Sequence, residues 1–227
     1  MKILVTGASG FVGRTLLEYL LIHGFVVHPI FRNHTILSYD NARFCDLRHL
    51  ESTKKMILDI DPTVIVHCAA TSNIEQCEKD GFESWENNVI GTMNLARSAK
   101  SKVHFIYLST AEVFDGNTGL YREDSIRNPV HWYGHTKAAS EDIVRKIVPT
   151  HTIVRLSYQY GYDPCGKNFI HSVMKRLMRD QEVSAADDLI SSPTYVGTTI
   201  SAIHEMIENQ MTGIYNIADR DPYQSIN

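Results

Sequence analysis

The sequence lacks the features that distinguish membrane proteins, nucleic-acid-binding proteins and metalloenzymes. None of its apolar runs approaches the length of a bilayer, so we expect no membrane-spanning helix. Lysine and arginine form no block and the net charge is −4, which gives no support for a nucleic acid or membrane surface as partner. The eleven histidines include no HExxH motif and no Cys/His cluster at zinc spacing, so we expect no metal site.

Disulfide and secretion signals are also missing. The cysteines form no CxxC pair and lie within or beside apolar segments; they are Cys45, Cys68, Cys77 and Cys165. This usage favours reduced thiols. Met1 leads directly into the first apolar run, so we expect no signal peptide and a cytoplasmic location.

What the sequence does contain is a glycine-rich turn near its start. An apolar run, Lys2–Thr6, is followed by Gly7, Gly10 and Gly13 and by a helical pattern over Phe11–His23. Because glycine has no Cβ, the backbone N–H groups of such a turn and of the helix start can approach a pyrophosphate. The spacing is GxxGxxG rather than the commoner GxGxxG, so the alternative is a tight turn without a ligand.

Further strand and helix patterns alternate along the chain. The strand candidates after the first are Val26–Phe31, Arg43–Cys45, Thr63–Cys68, Val103–Ser109, Thr152–Leu156 and Ile214–Ile217. The helix candidates after the first are Leu50–Ile60, Glu83–Lys100, His131–Ile147 and Val196–Asn209. This alternation predicts an α/β fold with a doubly wound (Rossmann) parallel sheet that binds its ligand at the carboxyl ends of the strands. We assign residues 1–158 to the dinucleotide-binding core and 159–227 to a small C-terminal substrate lobe, from which one helix and one strand return to the core.

Residues at the ends of the early strands bear on the cofactor. Arg32 follows the second strand, where NAD-specific sites usually carry an acidic residue, and its guanidinium can pair with a 2′-phosphate. This favours NADP(H) over NAD(H), although a solvated surface arginine is the alternative. Asp46 either caps the following helix or accepts a hydrogen bond from an adenine amino group. Ala69 and Ala70 either admit a flat ligand or serve only packing.

The residue types that carry redox chemistry lie later in the chain. Ser109 and Thr110 end a central strand, and Tyr133 and Lys137 are four residues apart, which places them on one helix face about 6 Å apart along the axis. A carbonyl that receives a hydride also needs a proton. A tyrosine phenol can donate it, a nearby lysine ammonium lowers the pKa of that phenol, and a second hydroxyl can orient the oxygen. Asn87 and Asn88 are adjacent within a helical pattern that they disfavour, so one of the two is expected to have a buried role, holding backbone or ordering water near the site.

Four motifs together resemble the extended short-chain dehydrogenase/reductase superfamily. They are TGASGFVG from Thr6, HCAA from His67, STAEVFDG from Ser109 and YGHTK from Tyr133, in the order typical of that superfamily. Within it the sequence is most similar to dTDP-4-dehydrorhamnose reductases. The segments that support this likeness are TSNIEQCE from Thr71, RLSYQYG from Arg155 and SPTYV from Ser192.

The resemblance implies a set of site residues. Together with Arg32, the implied cofactor-binding residues are Gly7, Gly10, Phe11, Val12, Gly13, Asp46, Leu47, Ala69, Ala70, Asn88, Ser109, Tyr133 and Lys137. The implied catalytic residues are Thr110, Tyr133 and Lys137. The implied substrate contacts are Thr71, Asn73, Thr110 and Asn168.

Two departures from the family pattern concern the substrate. An acidic and then an aromatic residue usually follow the catalytic threonine, whereas this sequence has Ala111 and Glu112, which leaves the sugar open. The sequence also stops ten residues after Ile217, where family members continue. Either the lobe is reduced or a tail lies outside this sequence.

The resemblance leads to a main hypothesis and two alternatives. The main hypothesis is NADPH-dependent reduction of a 4-keto nucleotide-diphosphate sugar, with NAD(H) as a possible cofactor and a homodimer by analogy. The cations that could bind the sugar diphosphate are Lys167, Lys175, Arg176 and Arg179. The alternative is that this cluster is only the solvent-exposed face of a helix over Phe169–Met178. The alternatives are an NAD-dependent nucleotide-sugar epimerase or dehydratase, and a non-catalytic subunit similar to the regulatory subunit of methionine adenosyltransferase.

Overall fold

A parallel sheet forms the centre of the molecule. The computed structural model describes residues 1–33, 39–163, 169–183 and 191–219. The strands of this described part are β1 (Lys2–Thr6), β2 (Val26–Phe31), β3 (Arg43–Phe44), β4 (Val64–His67), β5 (His104–Thr110), β6 (His151–Leu156), β7 (Gln159–Tyr160), β8 (Thr194–Tyr195) and β9 (Gly213–Ile217). Seven of them form one sheet in the order β3-β2-β1-β4-β5-β6-β9, and every neighbouring pair in it is parallel.

Helices cover both faces of this sheet. They are α1 (Phe11–Ile22), α2 (Leu50–Ile60), α3 (Ile74–Lys79), α4 (Gly81–Trp85), α5 (Gly91–Ser98), α6 (Trp132–Ile147), α7 (Phe169–Leu177) and α8 (Val196–Glu208). A π-helical turn, Glu86–Ile90, joins α4 to α5, and a 3-10 turn, Ala111–Val113, follows β5. None of the described helices is both long enough and apolar enough to span a bilayer.

Alternate residues of the buried strands pack against different helices. Ile3 and Val5 of β1 belong to the apolar core beneath α1 and α8, whereas Leu4 belongs to the core beneath α2, α5 and α6. Burial of apolar side chains on both faces explains why the central strands read as continuous apolar runs. The predicted fold class, a doubly wound parallel sheet, is confirmed.

The structure differs from the sequence prediction in local details. The helix predicted over Glu83–Lys100 begins earlier, at Gly81, and is interrupted by the π-helical turn before it ends at Ser98. The six residues of α3 were not predicted because a segment this short shows no helical period. The two-residue pair β7–β8 was not predicted either, for the same reason.

The C-terminal segments contribute to the main sheet. Strand β9 pairs with β6, and α8 packs against α1. The β7–β8 pair lies outside the seven-stranded sheet. The division of the chain at residue 158 into a core and a substrate lobe stays a prediction.

Candidate active site

The glycine-rich turn joins β1 to α1 and touches the end of β4. Gly7 has a left-handed backbone (φ +65°), and a Cβ there would lie 2.6 Å from the backbone N of Ala69. The N–H of Gly10 donates to the carbonyl of Gly7 at 2.9 Å, and a Cβ on Gly13 would collide with that carbonyl oxygen. The N-cap residue of α1 is Gly10, which has no side chain to cap the helix. The first turn of α1 therefore presents uncapped N–H groups to an anion.

A cavity of about 230 Å³ extends from this turn along the carboxyl ends of the neighbouring strands. The predicted cofactor residues that line it are Gly7, Gly10, Arg32, Asp46, Leu47, Ala69 and Ala70, and Thr71 lines it as well. Its position at the carboxyl ends of β1, β2 and β4 is the one in which doubly wound sheets bind nucleotides. The predicted residues Phe11, Val12 and Gly13 form the start of α1 beside this cavity.

Two arginines lie along the cavity. Nη1 of Arg32 donates to Oδ1 of Asn87 at 3.0 Å, and Nδ2 of Asn87 donates to Oγ1 of Thr71 at 3.0 Å. Arg48 binds the Asp46 carboxylate through Nε (3.0 Å) and Nη2 (2.6 Å), and this pairing lowers the pKa of Asp46. The sequence analysis missed Arg48, although its position two residues after an acidic residue was a local signal.

The Asp46 carboxylate does not cap the next helix. It accepts a hydrogen bond from the backbone N of Arg48 at 3.0 Å, whereas the N-cap residue of α2 is His49, without a side-chain cap. The capping alternative from the sequence is therefore wrong. The adenine-contact alternative stays a prediction.

The hydroxyl, phenol and ammonium predicted to carry the chemistry lie together. Thr110 ends β5, Tyr133 lies in the first turn of α6, and the Thr110 side chain hydrogen-bonds the Tyr133 phenol. The ammonium of Lys137, one turn further along α6, donates to the carbonyl oxygen of Leu108 at 2.6 Å. It also lies 4.2 Å from the centre of the Tyr107 ring, where the negative face of an aromatic ring attracts a cation. The close approach of β5 and α6 thus brings all three groups to one place.

Burial controls the protonation of these groups. Desolvation raises the pKa of Tyr133, the hydrogen bond from Thr110 partly offsets this, and the nearby Glu112 carboxylate raises it further. Desolvation also lowers the pKa of Lys137 to about 7. The structure therefore differs from the expectation that Lys137 by itself lowers the pKa of the phenol: the ammonium is bonded to a carbonyl on β5, and the cost of burying a phenolate prevails.

Asn88 lies behind the site rather than in the cavity. It is 1% exposed, within the π-helical turn. Its Oδ1 accepts from the backbone N of Thr71 at 2.7 Å, and its Nδ2 donates to the carbonyl of Thr71 (3.0 Å) and to Oγ1 of Thr136 (2.9 Å). Asn88 therefore links the segment after β4 to α6, and it is the asparagine of the pair that has the expected buried role.

Several other predicted residues have partners away from the cavity or cannot be placed. The Ser109 hydroxyl donates to Oε1 of Glu141 at 2.6 Å, and Oδ1 of Asn73 caps α3 by accepting from the N–H of Gln76 at 2.7 Å. Their roles towards a cofactor or substrate stay predictions. Asn168 lies outside the described residues, as do Lys167 and Cys165, whereas Lys175, Arg176 and Arg179 are exposed on α7 or just beyond it.

An imidazole–carboxylate pair beside Tyr133 was also missed. Nε2 of His131 lies 2.8 Å from Oε2 of Glu112, and Nδ1 of His131 accepts from the backbone N of Gly134 at 3.2 Å. The His131 and Tyr133 rings are nearly parallel, with centroids 6.1 Å apart. The position of His131 directly before a helical pattern was the available signal, but histidine is an uncommon N-cap residue.

Comparison with known proteins found relatives that are named dTDP-4-dehydrorhamnose reductases. The model of the RmlD substrate binding domain family matches residues 1–223. The chain is 29% identical over 220 residues to the spore coat polysaccharide biosynthesis protein SpsK of Bacillus subtilis, covering 96% of this chain and 73% of that protein. It is 28% identical to a dTDP-4-dehydrorhamnose reductase of Aggregatibacter actinomycetemcomitans, covering 93% of this chain and 69% of that protein.

A solved structure and one further relative were found as well. The crystal structure of a dTDP-4-dehydrorhamnose reductase from Bacillus anthracis in complex with NADP has a TM-score of 0.86 and 29% identity, with 98% of this chain and 76% of that chain covered. The methionine adenosyltransferase 2 subunit beta of Xenopus tropicalis is 28% identical, with 95% of this chain and 66% of that protein covered. All four relatives are longer than this chain.

Proposed function

Because this chain belongs to the RmlD substrate binding domain family, whose relatives include NAD(P)-dependent reductases of the extended short-chain dehydrogenase/reductase type, we propose that it reduces a 4-keto nucleotide-diphosphate sugar with NADPH. The observation that carries the proposal is the meeting of Thr110, Tyr133 and Lys137 at the end of β5, the strand next to β4, whose following residues line the cavity. The two relatives named dTDP-4-dehydrorhamnose reductase, one of them in complex with NADP, support the same reaction class.

The residues of the cavity fit a dinucleotide. A Cβ at Gly7 would fill the space against Ala69, and the uncapped start of α1 suits a pyrophosphate. Arg32 and Arg48 supply two guanidinium groups for a 2′-phosphate, which is the basis for proposing NADPH rather than NADH. Asp46 and Leu47 would contact the adenine. Ala69 and Ala70 would line the part of the cavity that leads to the nicotinamide ring. When bound, the cofactor supplies a hydride to the carbonyl carbon of the sugar.

The protein supplies the proton and the charge around the carbonyl oxygen. Tyr133 donates its phenolic proton to the oxygen, and its raised pKa keeps the phenol protonated at neutral pH. Thr110, which hydrogen-bonds the phenol, fixes the position of the donor. Lys137, when protonated, places a positive charge beside the phenolate that remains, so the free energy of the charged state falls. Thr71, Asn73 and Asn168 are proposed to contact the sugar nucleotide.

Location, assembly and the substrate lobe belong to the same proposal. The described cysteines Cys45, Cys68 and Cys77 are free thiols, which supports a cytoplasmic protein. A homodimer is proposed by analogy alone. Exposed Lys175, Arg176 and Arg179 are proposed to meet the sugar diphosphate from the lobe.

The test is a panel of 4-keto nucleotide sugars assayed with NADPH and NADH by the loss of reduced-nicotinamide absorbance. Tyr133→Phe is expected to lower kcat by about 10²–10⁴-fold, because general acid catalysis contributes that much. Tyr19→Phe, which removes a phenol on α1 that hydrogen-bonds His204, is the matched control and keeps the wild-type rate. An unchanged kcat in Tyr133→Phe would remove this residue from the mechanism.

A second candidate function is that of a non-catalytic regulatory subunit. The observation that favours it is the 28% identity to the methionine adenosyltransferase 2 subunit beta. The complete set of Thr110, Tyr133 and Lys137 favours the reductase. Stoichiometric association with a second protein, without turnover of any keto sugar in the panel, would decide for the regulatory subunit. A tightly held NAD that co-purifies with the protein would instead favour an epimerase or dehydratase.

A further inference from the structure

Behind the proposed site lies a buried carboxylate that the mechanism above does not use. Glu141 is 0% exposed and accepts four hydrogen bonds. Ser109 Oγ donates to its Oε1 at 2.6 Å, and Arg155 donates through Nε to Oε1 (2.9 Å) and through Nη2 to Oε2 (2.8 Å). Arg127 Nη1 completes the set at 3.2 Å from Oε2. All four bonds converge on one ionised group, so its loss would leave several buried donors without an acceptor.

Glu141 and its partners lie on the segments that carry or adjoin the proposed catalytic residues. Ser109 directly precedes Thr110 at the end of β5, and Arg155 lies on β6. Arg127 lies in the connection between β5 and α6. Glu141 itself lies on α6, one turn after Lys137 and therefore on the same helix face. One carboxylate thus links the strand end that bears the hydroxyl to the helix that bears the phenol and the ammonium.

Glu141 is also the anion that acts on Lys137. At the end of β4 and just after it, burial lowers the pKa of His67 to about 3 and raises that of the Cys68 thiol to about 12, so both groups are neutral at pH 7. On β5, burial keeps the Tyr107 phenol protonated. Among the described groups that face Lys137, the carboxylate of Glu141 is then the one with a negative charge, and it raises the pKa of Lys137 against the effect of burial.

We propose that Glu141 is a positioning residue for the reductase site: its buried carboxylate fastens the Ser109 end of β5 to α6 and keeps Lys137 charged beside Tyr133. This inference rests on the proposed function. The competing explanation is a buried ion pair that serves stability alone, since breaking such a pair is destabilising wherever it occurs. Loss of stability therefore does not distinguish the two explanations, whereas the titration of Lys137 does.

The test measures that titration directly, by NMR of protein labelled at the lysine side chains, with Lys137→Arg to identify the signal. In Glu141→Gln the anion is lost, so the Lys137 pKa falls by one unit or more, a tenfold or greater change in its protonation constant. In Arg127→Gln the Glu141 carboxylate loses a cation that partly offsets its charge, so its effect on Lys137 grows and the Lys137 pKa rises. Arg127 is partly exposed, with 21% of its side chain accessible, so this second variant still decides the question if Glu141→Gln does not fold.

Asp142→Asn is the matched control. Asp142 follows Glu141 in sequence and pairs with the same Arg127 at 2.6 Å, but 59% of its side chain is exposed. The Lys137 titration is expected to stay in place in this variant. The alkaline limb of the pH profile of kcat/KM for keto-sugar reduction moves with the titration, to lower pH in Glu141→Gln and to higher pH in Arg127→Gln.

Two results separate failure of this inference from failure of the proposed function. If the pKa of Lys137 is unchanged in the Glu141→Gln and Arg127→Gln variants that fold, the role of Glu141 is overturned, whatever the rate of reduction. Because the NMR titration needs neither cofactor nor substrate, a shifted titration in a protein that reduces no keto sugar would support the coupling of Glu141 to Lys137 and contradict the reductase function.

Discussion

At the scale of single residues, burial shifts the two ionisable groups of the proposed site in opposite directions. The pKa of Tyr133 rises and that of Lys137 falls to about 7, because each neutral form is favoured in a desolvated place. For Lys137 this means that folding releases a proton between pH 7 and its unfolded pKa. The folded state therefore gains stability relative to the unfolded state as the pH rises through that window. Such opposed shifts are typical of functional sites.

A second feature at this scale concerns the cofactor. Arg32 is exposed and donates to Asn87, whereas Arg48 is already paired with Asp46. We expect Arg32→Gln to lower kcat/KM for NADPH about 10–100-fold and to leave kcat/KM for NADH nearly unchanged. The reason is that a hydrogen bond to a charged group, here the 2′-phosphate, contributes about 1.5–3 kcal/mol. The measurement is the ratio of the two values.

Arg145→Gln, which removes an exposed arginine from the last turn of α6, is the control for this change and keeps the ratio. Equal losses with both cofactors in Arg32→Gln would mean that Arg32 does not meet a 2′-phosphate. In that case other residues of the cavity would decide the preference between NADPH and NADH, and Arg48 would be the next one to test.

At the scale of secondary-structure elements, the site depends on how closely α6 packs against the turn after β5. A Cβ on Gly134, in the first turn of α6, would collide with the carbonyl oxygen of Glu112 and lie 2.8 Å from the Cβ of Pro129. The residue next to Gly134 is Tyr133, and two residues before Glu112 is Thr110. The missing side chain of Gly134 therefore sets the distance between the phenol and the hydroxyl.

We expect Gly134→Ala to destabilise the protein by about 1–3 kcal/mol, as overpacking does, and to reduce kcat at least tenfold by separating Tyr133 from Thr110. Gly91→Ala is the control, because a Cβ there meets the Leu47 side chain at an ordinary 3.4 Å within α5. Thermal unfolding and keto-sugar reduction are measured on both variants. A fully active Gly134→Ala protein would contradict the requirement for this close packing.

Long elements with a clear period could be predicted from the sequence, and short ones could not. The strand Lys2–Thr6 and the helix Leu50–Ile60 have the predicted bounds. The π-helical turn Glu86–Ile90 could not be predicted, because it lies within an amphipathic pattern that favours a continuous helix. The unusual residues there, two adjacent asparagines, indicated a special role, and the structure shows Asn88 bonded to Thr71 and Thr136.

At the scale of the whole molecule, the sheet order decides which distant residues meet. Parallel pairing of β4 with β5, and the packing of α6 against β5, bring the HCAA, STAEVFDG and YGHTK motifs together. The pairing of Glu141 with Arg155 could not be predicted, because it exists only after β6 has joined the sheet beside β5. The short Asp46–Arg48 contact was, in contrast, within reach of local sequence reasoning.

The central claim is that Tyr133, Thr110 and Lys137 surround the carbonyl that accepts a hydride from the cofactor in the glycine-lined cavity. The most direct measurement is mass spectrometry of the sugar product formed with NADPH deuterated at the transferable position. The account predicts a product with one deuterium on the former carbonyl carbon, and about 10²–10⁴-fold slower labelling in Tyr133→Phe. A reduced sugar without deuterium, or equally fast labelling in Tyr133→Phe, would contradict it.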